Sequence, residues 1–203
     1  GDEEVVALKR INLRIYKGEV CCIFGTSGSG KSTLLNQLAG MEKPTKGQVF
    51  IRGKNISDMN EEELAAFRQE HMSFIFQSYN LLPSMTAVEN VAMPLMFKGM
   101  DRKKREAMAE EMLKRVGLSH RLHHYPSQMS GGQQQRAGIA RAFVSRPEVV
   151  FADEPTGNLD TKTTAEIMDM VMGFARRFNQ TIILVTHDPG MSRYADRIVT
   201  LVD

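Results

Sequence analysis

The feature that most constrains the fold is a glycine-rich loop between a strand-like and a helix-like segment. Residues 20–24 (VCCIF) are apolar throughout, which is typical of a β-strand buried on both faces. Residues 25–32 (GTSGSGKS) follow, and leucines at helical spacing then indicate a helix that ends at Gly40. A buried strand, a loop of small residues with one lysine, and a helix predict a phosphate-binding loop.

The residue types in this loop suit an anion. Small side chains allow backbone N–H groups to converge on phosphate oxygens, and the helix that follows directs its N-terminus at the same point. We expect Lys31 to reach the β- and γ-phosphates and the Ser32 hydroxyl to bind Mg²⁺. The nucleotide-binding residues predicted here are Gly25, Thr26, Ser27, Gly28, Ser29, Gly30, Lys31, Ser32 and Thr33.

Two carboxylates follow a second apolar run. Residues 149–152 (VVFA) read as a buried strand that ends in Asp153 and Glu154. Ligands of parallel sheets bind beyond the carboxyl ends of the strands. We therefore expect Asp153 to hold Mg²⁺, directly or through water, and Glu154 to act on the attacking water as its base or orienter.

Two more strands end in a polar residue at the same topological position. Gln77 follows residues 74–76 (FIF), and His187 follows Val185 and Thr186. We expect the Gln77 amide to contact Mg²⁺ or water and His187 to sense the γ-phosphate. The predicted catalytic residues are Glu154, His187, Gln77 and Lys31, and the predicted metal ligands are Ser32, Gln77 and Asp153.

A pair of glycines opens the helical stretch that ends near Val144. Residues 130–133 (SGGQ) fit a helix start with a serine cap, but each glycine costs about 1 kcal/mol of helix stability. Such glycines suit close approach by a phosphate to the free amides of the helix N-terminus. The nucleotide-binding residues predicted here are Ser130, Gly131, Gly132 and Gln133.

The order of apolar runs and helical segments predicts an open, mostly parallel α/β sheet. Residues 1–77 and 148–203 form the predicted nucleotide-binding core, and residues 78–147, where helical periodicity dominates, form an inserted α-helical subdomain. Residues 5–15 alternate apolar and polar side chains like a half-buried strand, and residues 48–52 read as an edge strand. We expect these two to supply an N-terminal antiparallel β portion.

The composition of the 203 residues excludes several classes of protein. The chain carries 26 basic and 24 acidic side chains, a net charge of +2 that argues against nucleic acid as the main partner. No apolar run approaches the ~18 residues of a membrane helix. The two cysteines, Cys21 and Cys22, are adjacent, as expected of a reduced cytosolic protein. Because the chain opens on Gly1 within a strand-like segment, we expect the natural polypeptide to begin further upstream.

Taken together, these motifs resemble those of the ABC ATPases. The motifs, in chain order, are residues 25–32, Gln77, residues 129–133 (MSGGQ), Asp153-Glu154, residues 158–160 (NLD) and His187. The resemblance covers essentially the whole chain, with Met129 in place of the usual leucine, a swap that conserves volume and polarity. It implies a RecA-like P-loop NTPase fold with ATP and Mg²⁺ as cofactors.

The resemblance also implies a homodimer in which two subunits pack head to tail around two ATP molecules. Ser130 and Gly132 would bind the γ-phosphate held by Lys31 of the partner subunit, and Asp160 would cross the interface. The family stacks adenine on an aromatic residue that precedes the first strand. Tyr16 lies in the wrong place for this role, so we expect that residue to lie upstream of this chain.

A narrower resemblance is to the lipoprotein-release, macrolide-export and antimicrobial-peptide-resistance group. It rests on residues 153–160 (DEPTGNLD), on residues 89–91 (ENV) and on Pro94-Leu95. It implies a peripheral subunit on the cytoplasmic face of the plasma membrane that drives separate integral membrane permease subunits. Our candidate for the surface that binds the membrane partner is residues 78–82 with Met85, Met93 and Met96. These methionines fit an ordinary hydrophobic core equally well.

Two alternatives remain open at this stage. The first is a non-transport ABC ATPase, such as the cell-division ATPase near this group, or a DNA-repair or ribosome-associated type. The inserted segment carries no heptads and only one cassette is present, which disfavours the repair and ribosomal types. The second is a metabolite kinase or GTPase with the same loop, which leaves Ser130–Gln133 unexplained.

Overall fold

A computed structural model describes residues 8 and 10–202 of the chain. The strands are β1 (Val20–Phe24), β2 (Phe50–Ile51), β3 (Lys54–Asn55), β4 (Met72–Phe76), β5 (Val149–Asp153), β6 (Thr181–Thr186) and β7 (Arg197–Thr200). The α-helices are α1 (Lys31–Leu38), α2 (Glu61–His71), α3 (Ala87–Phe97), α4 (Arg102–Arg115), α5 (Gly131–Val144) and α6 (Thr161–Arg177).

The main sheet is parallel, with the strand order β4-β5-β6-β1-β7. This confirms the mostly parallel α/β architecture. The register places Phe76 opposite Asp153, Asp153 opposite Val185, and Phe24 opposite Thr186. Parallel strands share the direction of their carboxyl ends, so the four predicted site elements lie at the same end of the sheet. These are the phosphate loop, Gln77, Asp153-Glu154 and His187.

The antiparallel part of the described fold is the small hairpin β2–β3. The strand predicted at residues 48–52 is thus shorter than expected. The strand predicted at residues 5–15 lies partly outside the described residues, and residues 10–15 form no strand. Their backbone pairs with no described strand, and Leu13 and Ile15 are only half-buried, so alternation alone does not produce a strand here.

Helices cover both faces of the parallel sheet. On one face Ile23, Phe151 and Ile183 pack with apolar residues of α1 and α2. On the other face Cys22, Val150, Ala152 and Leu184 pack with α5 and α6. Successive side chains of a strand point to opposite faces, so a strand buried on both sides needs a continuous apolar run, as at residues 149–152 of β5 and 182–185 of β6.

Capping side chains fix where the helices begin. The Asn60 side chain accepts a hydrogen bond from the Glu63 amide and starts α2. Helix α6 starts at Thr161, directly behind Asp160, which caps it. Helix α5 starts directly behind Ser130.

Helices α3, α4 and α5 follow one another between β4 and β5 and pack together. A fully buried amide, Asn90, holds the loop that leads into α3. It donates to the carbonyls of Leu82, Met85 and Thr86 and accepts from the Leu82 amide. Among the described residues, none of the helices combines the length and apolar character needed to cross a bilayer.

Candidate active site

The loop from Gly25 to Gly30 is compact and depends on its glycines. Gly28 and Gly30 have φ angles of 85° and 88°, in the left-handed region that favours glycine. A Cβ atom at Gly25 would lie 2.3 Å from the Ser29 Oγ and 3.3 Å from the Leu201 carbonyl oxygen. The loop therefore has no room for a side chain at its first position.

The environment of Lys31 fits a phosphate group. This residue is only 8% exposed, and its Nζ donates one long hydrogen bond, of 3.4 Å, to the Thr26 carbonyl. The buried Ser29 Oγ has no hydrogen-bond partner within the described chain. A buried ammonium at a helix N-terminus, with polar groups left free around it, is matched by an anion.

Asp153 lies at the end of β5, close enough to Lys31 for the two charges to interact. Burial and the neighbouring Glu154 raise the pKa of Asp153, and Lys31 opposes this rise. Within residues 10–202 the Asp153 carboxylate makes no hydrogen bond to another side chain, which leaves its oxygens free for a divalent cation.

Glu154 and His187 are brought together as a pair. The Glu154 Oε1 accepts a hydrogen bond of 3.0 Å from the His187 amide and lies 2.6 Å from the His187 Nδ1. Its Oε2 accepts from the Thr186 hydroxyl at 3.1 Å. Glu154 also has a φ of 45°, an unusual backbone conformation for a residue with a side chain. Strained residues held by several contacts are common at functional sites.

Gln77 reaches the same edge of the sheet but faces Asn158. Its Nε2 donates to the Asn158 Oδ1 at 3.2 Å, and the Asn158 Nδ2 donates back to the Gln77 carbonyl at 3.1 Å. A Cβ at Gly157 would lie 2.6 Å from the Gln77 Nε2, so a side chain at this position would displace the Gln77 amide. In this structure the Gln77 amide is bonded to the loop that follows Glu154, not to Ser32 or Asp153.

Ser130 and Gln133 form the start of α5. The Gln133 amide donates to the Ser130 Oγ at 3.2 Å, and the Ser130 amide donates to the Gln133 Oε1 at 3.0 Å, so the two side chains cap the helix reciprocally. Ser130 is exposed. In the described part of the chain, no hydrogen bond joins these residues to residues 25–32, so one chain does not unite the two motifs.

The glycines of this motif are close to two side chains from other parts of the chain, Tyr79 and Thr163. A Cβ at Gly131 would lie 2.9 Å from the Tyr79 hydroxyl, and one at Gly132 would lie 3.2 Å from the Thr163 methyl group. The Asp160 carboxylate accepts from the amide and the hydroxyl of Thr163, which lowers the pKa of Asp160. Asp160 thus caps α6 beside the second glycine.

Sequence reasoning missed two other residues of the site. Asn158 entered only as part of a motif, and its bond to Gln77 depends on a tertiary contact that no sequence pattern shows. Gln135 is fully buried on the same helix face as Ile139 and Phe143. Its spacing of four residues from Ile139 places a polar side chain on an apolar stripe, and this signal could have identified it.

A parallel sheet with a phosphate loop and strand-end carboxylates at its carboxyl edge is the arrangement of a P-loop nucleotide-binding protein. The family model described as ABC transporter matches residues 8–157. The chain is 48% identical over 203 residues to the uncharacterized ABC transporter ATP-binding protein MJ1508 of Methanocaldococcus jannaschii, covering all of this chain and 90% of that protein.

A second curated protein and a solved structure are also similar to this chain. The chain is 48% identical to the macrolide export ATP-binding/permease protein MacB of Shewanella sp. (strain ANA-3), and it spans 31% of that protein's length. It superimposes with a TM-score of 0.90 and 42% identity on a dimeric post-hydrolysis state of the ATP-binding cassette MJ0796 bound to ADP and Pi, covering 99% of this chain and 88% of that one. The chain belongs to the ABC transporter family, and it is a nucleotide-binding ATPase cassette.

Proposed function

We propose that two copies of this chain enclose two ATP molecules and hydrolyse them to drive a separate integral membrane protein. The observation that carries the proposal is the separation of the two phosphate-binding motifs. Lys31 is buried in one loop, whereas Ser130 is exposed at the start of α5, with no hydrogen bond between the motifs in the described chain. The dimeric arrangement of the MJ0796 cassette supports a second copy as the source of the missing half.

In this proposal residues 25–33 hold the phosphates of one ATP, with Lys31 as the main cation. Ser130–Gln133 of the partner subunit complete the site through the N-terminus of α5, and Asp160 lies at the interface. The free polar groups around Lys31 support this assignment. The division into a core (1–77 and 148–203) and a helical subdomain (78–147) assigns the two motifs to different parts of the chain.

Ser32, Asp153 and Gln77 would hold Mg²⁺, which when bound neutralises phosphate charge and orients the phosphates. The unbonded carboxylate of Asp153 fits this role, and the Gln77 amide takes part once it leaves Asn158. Glu154 accepts the proton of the attacking water on its carboxylate. Thr186 and His187 orient that carboxylate, and His187 is the residue that would sense the γ-phosphate.

The test is Glu154→Gln, which keeps the shape of the side chain and removes the base. We expect ATP affinity to stay within about threefold and hydrolysis to fall about 10²–10⁴-fold. We also expect an ATP-dependent dimer to accumulate, measured by size-exclusion chromatography with light scattering. A variant that remains monomeric at saturating ATP would overturn the two-copy site.

A groove of about 500 Å³ between α3 and the sheet edge is the surface we propose for the membrane partner. Met93, Pro94 and Phe97 of α3 line one side, and Phe74 and Phe76 of β4 line the other. Phe97 is 64% exposed, which leaves a large apolar side chain for a partner to cover. The groove contains Asn80, three residues after Gln77, so events at Gln77 can reach it.

The groove is tested by Phe97→Asp, with Phe50→Asp in β2 as the matched control because Phe50 is 59% exposed away from the groove. We expect only the Phe97 variant to lose co-fractionation of the full-length protein with membranes, while both keep the ATPase rate of the isolated protein. Equal loss in both variants, or retention in both, would contradict the placement. A peripheral position on the cytoplasmic face of the plasma membrane follows from this partner.

A further inference from the structure

Gln135 is a buried polar residue of α5 to which the roles above assign nothing. Its side chain is fully enclosed, on the helix face that also buries Ile139 and Phe143. An uncharged amide in such a place is costly unless its polar atoms find partners. Those partners therefore indicate what the residue does.

The amide of Gln135 joins the two strand ends that carry Gln77 and Glu154. Its Nε2 donates to the Phe76 carbonyl at 3.2 Å and also donates to the Pro155 carbonyl. Phe76 immediately precedes Gln77, and Pro155 immediately follows Glu154. The pairing of β4 with β5 ends at Phe76 and Asp153, so these carbonyls lie where the ladder can no longer hold the two chain segments together.

The same helix also holds the chain on the other side of Gln77. Arg141 donates to the Tyr79 carbonyl at 2.9 Å and to the Asn80 carbonyl at 2.7 Å. Gln77 and Ser78 thus lie between two points that are both fixed by side chains of α5. The N-terminus of α5 carries Ser130, so one rigid element connects the exposed motif to both catalytic strand ends.

We propose that Gln135 is a positioning residue for ATP hydrolysis, which sets where Gln77 and Glu154 lie relative to one another and to α5. This inference rests on the proposed function. Without the Gln135 donors, the ends of β4 and β5 are free to separate by a fraction of an ångström or more. Misplacement by about 1 Å can cost about 10²-fold in rate, whereas ATP binding by residues 25–33 does not depend on this contact.

The chain contains a matched control at the opposite end of the strands, where β5 and β6 begin. Gln180 is 3% exposed and donates to the Pro147 carbonyl at 2.8 Å. Like Gln135, it leaves its Oε1 without a partner among the described residues. It shares with Gln135 the residue type, the burial and a hydrogen bond to a proline carbonyl, but it lies at the other end of β5 and β6, far from Gln77 and Glu154.

The experiment compares Gln135→Met with Gln180→Met, which conserve volume, in the full chain. We expect both to lower the unfolding midpoint similarly, but only Gln135→Met to lower kcat, by about 10–100-fold, with KM for ATP within about threefold. Gln135→Asn keeps the amide but is too short to span both carbonyls, so it too should lose kcat. An unchanged kcat in the Gln135 variants, or an equal loss in Gln180→Met, overturns the inference.

A double variant separates positioning from general damage. If Gln135 acts partly through Gln77, then Gln135→Met combined with Gln77→Ala lowers kcat by less than the product of the single effects. Fully multiplicative effects contradict the inference. A wild-type chain that fails to hydrolyse ATP defeats the proposed function itself, whereas normal wild-type turnover matched by the Gln135 variants defeats only this inference.

Discussion

At the scale of single residues, the phosphate loop depends on Gly25 for space. Its φ lies outside the left-handed region, unlike those of Gly28 and Gly30, so backbone freedom is not what its place requires. The Ser29 side chain and the Leu201 carbonyl occupy the volume into which a Cβ would project. An added methyl group must therefore push the loop out of the position in which it surrounds Lys31.

We expect Gly25→Ala to weaken ATP binding at least about 10-fold without unfolding the protein, because the clash displaces the loop that holds the phosphates. Isothermal titration with ATP measures this. The control is Gly47→Ala, a turn glycine with a φ of 101° and nothing within 4 Å of an added Cβ. It should lose about 1–2 kcal/mol of stability from its left-handed backbone and keep its ATP affinity. Equal ATP affinities in the two variants would count against the steric argument.

At the scale of elements, helix α5 holds an unusual turn in the chain that leaves β4. Tyr79 and Asn80 have φ angles of 65° and 53°, two consecutive left-handed residues with side chains. Such conformations persist only where surrounding contacts enforce them. The Arg141 guanidinium binds both carbonyls of this turn, and burial lowers the pKa of Arg141.

We expect Arg141→Met to lower the free energy of unfolding by about 1.5–3 kcal/mol, because the hydrogen bonds from a charged donor to the half-buried Tyr79 and the exposed Asn80 are lost. Urea titration gives this value. Arg115→Met is the control, since the one ion pair of Arg115 among the described residues is a surface pair with Glu111 at 3.4 Å, and it should change stability by no more than about 0.5 kcal/mol. Similar losses in both variants would show that Arg141 does not stabilise the turn.

The sequence predicted the central elements well, because their signals are local. Apolar runs that end in a polar residue located the carboxyl ends of β4, β5 and β6. The strand expected at residues 5–15 was not found in its described part, because an alternating segment needs a neighbouring strand to pair with. Pairing is a property of the tertiary fold.

The contacts between elements were beyond sequence reasoning for the same reason. The bond of Gln77 to Asn158 joins residues 81 positions apart, and the contact of Gln135 with Phe76 spans 59 positions. The pairing of Glu154 with His187 follows from the register of β5 and β6, which fixes how far each strand end extends. The motifs proposed the candidate residues, and the fold shows how their side chains are held.

At the scale of the whole molecule, the proposed function assigns to one chain two incomplete halves of a site. The carboxyl edge of the sheet carries Lys31, Asp153 and Glu154, and the start of α5 presents Ser130 to solvent. A two-fold dimer repeats each contact twice, so a head-to-tail pair completes two sites at once. Glu154 of one copy would then act on the nucleotide that Ser130 of the partner subunit completes.

The most direct test of this shared site is complementation between two inactive variants. Lys31→Ala removes the loop cation, and Ser130→Asp keeps the cap of α5 but places a carboxylate where the phosphate would lie. Each variant alone should hydrolyse almost no ATP. A 1:1 mixture should recover about a quarter of the wild-type rate, because half of randomly formed dimers contain one intact site. A mixture no more active than its separate components would contradict a site shared between two copies.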